Sequence, residues 1–274
     1  MPEPTILDRI VERRRQDVEH MRALVPAERI RATLRFAPEA VSFRERLLAA
    51  APMAVIAEIK RASPSKGDIA PGLDAVEQGL RYARAGAAAI SVLTEPTWFK
   101  GSLEDMARVR SAVDAFGMRR PAILRKDFII DEYQLLEARA HGADAVLLIV
   151  AALDDATLVR LHGAAAALGM ESLVEVDTAE AMERAVALGA AIIGINNRDL
   201  RSFTVDLATT DRLAALVPPG TVLAALSGIS SRSDVERFAA VGARAVLVGE
   251  ALMVAHDVGA KLAELRGVAP AVGR

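Results

Sequence analysis

The stretch GAAAISVL, residues 86–93, returns three more times in outline, as GADAVLLI at 142–149, GAAIIGIN at 189–196 and GARAVLVG at 242–249. Each copy ends a helical pattern on a Gly-Ala pair and continues into a short run of apolar, partly β-branched residues. Glycine takes the left-handed conformation that closes a helix and releases the chain into a strand. Four such copies imply four similar quarters and hence approximate rotational symmetry. An open, doubly wound sheet has two edges and no reason to repeat in this way, whereas a closed eight-stranded barrel does.

Working outward, eight strand-like runs appear at Ala54–Ile59, Ala89–Leu93, Ala122–Lys126, Ala145–Val150, Ser172–Val176, Ala191–Asn196, Val222–Leu226 and Ala245–Val248. Between them lie helical patterns such as Asp74–Ala85, Asp131–Ala140, Thr178–Leu188 and Ser233–Ala240. Strands alternating with helices indicate βαβ units and a parallel sheet. The expected fold is therefore an α/β (β/α)8 TIM barrel over residues 51–274. Residues 1–50 precede it as a helical extension packed on the barrel, one domain overall. That extension reads as an amphipathic helix over Thr5–Leu24, a second over Ala27–Phe36, and a third opening at Ser42 with Glu45 as a capping box. Its apolar faces predict that it covers one end of the barrel.

Of the 274 residues, 52% are hydrophobic, enough for a sizeable core. Lys plus Arg number 34 against 36 Asp plus Glu, which leaves no basic footprint for nucleic acid or an acidic membrane. With no cysteine there is no disulfide framework, thiolate metal site or cysteine nucleophile. His20, His141, His162 and His256 are scattered without ligand spacing, so no metal is expected. No apolar run reaches membrane length and the first residues do not form a signal peptide. The expectation is a soluble cytoplasmic protein, monomer or weak homodimer. Only a short tail with Gly and Pro follows Arg266, so no fused partner is expected.

In such a barrel the chemistry sits at the C-terminal ends of the strands. Residues two apart share a strand face, so VIAEIKRASPSKGD at 55–68 aligns Ile56, Glu58 and Lys60 before opening into a loop of mobile composition. Strand three aligns Leu124 with Lys126, strand five Leu173 with Glu175, and strand six Gly194 with Asn196 and Arg198. One such Glu and Lys at a frayed strand end reads as an ordinary ion pair. Agreement in height and parity across four strands reads as a shared site. Strands seven and eight end instead in Ser227-Gly228-Ile229 and Gly249-Glu250-Ala251, small residues whose backbone amides suit an anion. A phosphorylated small-molecule substrate is expected.

The motifs AEIKRASPSKG, ILRKDF, LVEV, INNRDL, SGI and VGEALM, in this order and behind some fifty helical residues, resemble indole-3-glycerol-phosphate synthase over essentially the whole chain. The resemblance implies indole ring closure of 1-(2-carboxyphenylamino)-1-deoxyribulose 5-phosphate with loss of CO2 and water, and no metal or organic cofactor. By position it implies Lys126 as general acid, Lys60 as a second active-site lysine protonating the departing hydroxyl, and Glu175 as the base in dehydration. Glu58 and Asn196 would orient these groups, Arg198 would contact an anion, and Ser227, Gly228, Gly249 and Glu250 would hold the phosphate, the last through its backbone. Ser63 of the first loop is a further candidate for substrate contact, and Phe128 and Leu147 are candidate walls for the aromatic ring.

One departure stands out: the family pattern at the end of strand seven is Glu-Ser-Gly, and here it is Leu226-Ser227-Gly228. A carboxylate that helps organise the site is missing, which leaves open a weakly active phosphoester-binding module whose N-terminal helices serve assembly. A Schiff-base aldolase with Lys126 or Lys60 as nucleophile is the other alternative, distinguished by borohydride trapping.

Overall fold

The eight apolar runs become eight parallel strands in a computed structural model that describes residues 3–202 and 204–267; the tail beyond Gly267 lies outside them. They are β1 (Ala54–Ile59), β2 (Ala89–Leu93), β3 (Ala122–Lys126), β4 (Ala145–Ile149), β5 (Glu171–Val176), β6 (Ile192–Asn196), β7 (Val222–Leu226) and β8 (Ala245–Val248). Each pairs with the next, and β8 closes on β1 with Ala54 opposite Ala245 and Ala57 opposite Val248. Three strand boundaries differ from expectation by one residue, as hydrogen bonding frays at strand ends. Gly86, Gly142, Gly189 and Gly242, the four repeat glycines, all have φ between 73° and 93°, the left-handed turn that their position required.

Helices alternate with the strands: α4 (Ala75–Arg84), α5 (Leu103–Val113), α6 (Glu132–Ala140), α7 (Asp155–Ala167), α8 (Ala179–Ala187), α9 (Ala208–Leu213), α10 (Arg232–Ala240), then the short α11 (Glu250–Met253) and α12 (Val258–Arg266). Strand periodicity divides the apolar residues into two cores. Val55, Ile123, Val146, Val174, Ile193 and Val246 face outward into the helix layer. Ile56, Leu124, Leu147, Leu173, Leu226 and Leu247 fill the interior.

The extension forms α1 (Ile6–Leu24), α2 (Ala27–Thr33) and α3 (Phe43–Ala49). It differs from expectation in three ways. The second helix tightens into a 3-10 turn at Leu34–Phe36. At Ser42 the hydroxyl does accept from the Glu45 amide, at 3.1 Å, but the carboxylate meeting this helix start belongs to Glu171 of β5 rather than Glu45. Glu171 accepts from the Arg44 amide at 2.8 Å and from the Ser42 hydroxyl at 3.2 Å. Finally, the extension serves both ends of the barrel. Phe43 and Leu47 of α3 pack beneath the starts of the strands, beside Ala54, Ala89 and Ala122, while α1 brings Leu7 and Ile10 to the opposite mouth.

Candidate active site

The strands deliver their polar residues into a cavity of about 660 Å³ at the C-terminal mouth. All thirteen residues singled out from the sequence line it: Glu58, Lys60, Ser63, Lys126, Phe128, Leu147, Glu175, Asn196, Arg198, Ser227, Gly228, Gly249 and Glu250. Parity explains the convergence of the strand residues: Glu58, Lys126 and Glu175 each lie two positions beyond the interior residues Ile56, Leu124 and Leu173, while Lys60 and Arg198 continue the same faces past Glu58 and Asn196.

Two ion pairs form the centre. Lys60 Nζ lies 3.0 Å from Glu58 Oε1, and Lys126 Nζ lies 3.7 Å from Glu175 Oε2. Both carboxylates are buried, while each ammonium keeps a partly open approach from the cavity. Burial alone would raise the Glu58 carboxyl above its ordinary value, but the Lys60 ammonium, with help from Lys126 and Arg198, outweighs this and holds it below. Asn196 donates to Glu175 Oε1 at 2.9 Å, which leaves Oε2 buried without a hydrogen bond and facing Lys126. Asn196 Oδ1 accepts the Arg198 amide at 3.0 Å, tying the turn after β6 to the same set.

Space at this centre is scarce. A Cβ on Gly249 would stand 2.6 Å from Glu58 Oε1, and one on Gly194 would stand 2.7 Å from Leu226 Cδ1. Leu226 therefore occupies the floor of the cavity with its methyl groups, beside Asn196 in the β6–β7 register. The departure noted in the sequence falls inside the cavity: where the resemblance implies an acid, Leu226 places an apolar side chain.

On one side, the loops after β7 and β8 offer backbone. Ser227 and Gly228 are successive residues in the left-handed region, at φ 65° and 77°, and both line the cavity. On the other side the wall is apolar. Phe99 and Phe128 meet with centroids 6.1 Å apart, and Leu7, Ile10, Leu147 and Ile149 complete it. The loop bearing Phe99 is held by Glu95, which is fully buried and accepts the amides of Thr97, Trp98 and Phe99 at 2.8, 2.7 and 3.0 Å.

The sequence reading did not name Leu7, Ile10 or Phe99 as site residues. Leu7 and Ile10 lay in the apolar stripe of the first helix, but a stripe does not say what it covers. For Phe99 the available signal was a Trp-Phe pair in the loop directly after a barrel strand. The loop after β1 also holds more order than its composition suggests. Ala62–Ser63 pairs with Gly67–Asp68, and Lys66 meets Glu250 at 3.3 Å across the mouth.

A family model described as indole-3-glycerol phosphate synthase matches residues 7–265. The chain belongs to the indole-3-glycerol phosphate synthase family. Within that family it is 48% identical over 265 residues to the indole-3-glycerol phosphate synthase of Roseiflexus sp. (strain RS-1), covering 96% of this chain and 98% of that protein. It is also 51% identical over 271 residues to a multifunctional tryptophan biosynthesis protein of Phanerodontia chrysosporium, covering 97% of this chain. The chain spans about a third of the length of that relative, 34%. A solved structure of 3-hexulose-6-phosphate synthase shares the fold, with a TM-score of 0.61 at 21% identity, over 79% of this chain and 100% of the other.

Proposed function

We propose that this member of the synthase family closes the indole ring of 1-(2-carboxyphenylamino)-1-deoxyribulose 5-phosphate, releasing CO2 and water. The observation that carries the reading is that Lys60, Lys126 and Glu175 converge from three strands on one cavity, between an apolar wall and the amide-bearing loops of β7 and β8. The substrate has matching parts. Its phosphate suits the loops at Ser227-Gly228 and Gly249-Glu250, and its ring suits Leu7, Phe99, Phe128 and Leu147. Its carboxylate suits a mouth where Lys60, Lys126 and Arg198 outnumber Glu58 and Glu175.

In this reading Lys126 is the general acid. Its ammonium protonates the ketone oxygen while the ring carbon bearing the carboxylate attacks the carbonyl carbon. The carboxylate then leaves as CO2, and its bonding pair returns to the ring and restores aromaticity. The hydroxyl left on the attacked carbon departs as water with a proton from Lys60. Glu175 takes a proton from the neighbouring CH2 carbon, so the new double bond closes the indole. Glu58 orients Lys60 and Asn196 orients Glu175, through the contacts described above. Positioning supplies much of the rest, since the reacting carbons belong to one molecule.

Incubating the purified chain with this substrate should produce indole fluorescence, and Lys126→Ala should lower kcat by about 10²- to 10⁴-fold, the usual worth of one general acid. Absence of product at saturating substrate would overturn the reading. Tight binding without turnover would favour the phosphoester-binding module, the second reading, which Leu226 on the cavity floor recommends.

A further inference from the structure

On α1 the residues Leu7, Ile10 and Arg14 share one buried face, because residues three, four and seven apart return to the same side of a helix. Leu7 and Ile10 reach the cavity. Arg14, a turn farther on, turns instead to the barrel wall. It is 6% exposed, and its guanidinium donates to Asp127 Oδ2 at 3.1 Å and to Asp17 at 2.9 Å. Asp127 stands between Lys126 and Phe128 in sequence, with its side chain wholly buried. Its Oδ2 also accepts from Thr94 Oγ1 at 2.6 Å and from Arg125 Nη2 at 3.0 Å, and its Oδ1 accepts the Phe128 amide at 2.8 Å. Arg125 is anchored in turn by the Gln134 carbonyl and by Glu137.

No step of the proposed chemistry uses Arg14 or Asp127. A buried ion pair is weak ground for stability, because desolvation offsets much of the attraction. A forked guanidinium between two carboxylates does, however, set distance and direction together.

We propose that the buried Arg14–Asp127 pair positions two sides of the site separately: Arg14 holds α1 so that Leu7 and Ile10 wall the ring pocket, and Asp127 holds the strand end that carries Lys126. This rests on the reaction proposed above. Both are positioning residues, and their effects separate by kinetic parameter. Without Arg14, Asp127 keeps Thr94, Arg125 and the Phe128 amide, so Lys126 stays in place while the wall loosens. Binding lost equally from ground and transition states raises KM and spares kcat. Thr94 holds both neighbours of Lys126, donating to Asp127 and accepting from Arg125 Nε at 3.1 Å, so removing its hydroxyl loosens the strand end on both sides of the general acid and lowers kcat.

The test is steady-state kinetics with Arg14→Met, which keeps an apolar stem without the charge, and with Thr94→Val. For Arg14→Met the expected result is a rise in KM of about tenfold with kcat held within about twofold, and inhibition by inorganic phosphate unchanged. For Thr94→Val it is a fall in kcat of about tenfold with KM held. Arg14→Lys, which keeps the charge but not the fork, should recover part of the KM; if Arg14→Met does not fold, it carries the same test with a smaller rise. A merely structural role would weaken phosphate inhibition alongside KM, and that outcome, or a fall in kcat with KM unchanged in Arg14→Met, overturns the inference. Should the unaltered chain turn over no substrate, the proposed reaction fails instead. Binding of anthranilate and of inorganic phosphate then decides, because Arg14→Met must weaken the first and spare the second.

Discussion

Gly249 shows how little slack the site contains. With Glu58 Oε1 2.6 Å from where a Cβ would stand and Lys60 Nζ at 3.3 Å, Gly249→Ala must push this pair aside. Displacement of reacting groups by about 1 Å costs on the order of 10²-fold, so kcat/KM should fall by about that factor while the melting temperature stays close to that of the unaltered chain. A variant that keeps kcat/KM within about threefold would mean the pair is free to move and is not positioned by β8. At this scale the sequence was informative wherever side-chain parity decided the matter, as for Glu58, Lys60, Lys126 and Glu175, because a strand's period of two leaves no freedom. It was uninformative where a partner lay far along the chain. Arg14 was visible as a charge on an apolar stripe, yet its partner Asp127 is 113 positions away and no local pattern links them.

Among the elements, the strands were legible almost to the residue, since apolar runs between turn signals have few alternatives. The loop after β1 was not. Its Ser, Pro, Lys and Gly composition reads as mobile, but the structure pins its base: Arg61 donates to Asp105 at 2.5 and 3.1 Å and to the Leu73 carbonyl at 3.1 Å. Composition reports what a segment can do unaided and cannot see a clasp from the first turn of α5. If the clasp restrains the loop, Asp105→Ala should speed tryptic cleavage at exposed Lys66 by about fivefold, corresponding to ~1 kcal/mol for one partly exposed bidentate pair. Unchanged cleavage would mean that the ribbon of Ala62–Ser63 and Gly67–Asp68 holds itself.

For the molecule as a whole, closure of the barrel was deducible from the Gly-Ala repeat, because symmetry is a property of the entire chain. The double placement of the extension was not, since an amphipathic helix declares that it must be covered without saying where. The result is a separation of duties: α3 beneath the strands packs the interior, while α1 lines the cavity at the mouth. Phe43, wholly buried, should therefore matter for folding alone. Phe43→Ala should cost about 3–5 kcal/mol in a urea titration, while kcat per folded molecule is unchanged. A loss of kcat in the folded fraction would couple the two ends.

β5 has an acid near each end, Glu171 received by α3 below and Glu175 by Asn196 and Lys126 above. Sliding this strand by two residues, about 7 Å, would keep every side chain on its proper side of the wall, and greasy packing alone would hardly object. The two carboxylates would object at once, each arriving where no donor awaits it. The strand is thus gauged from both ends like a bolt cut to length, and correct assembly of the cylinder and readiness for catalysis become a single event.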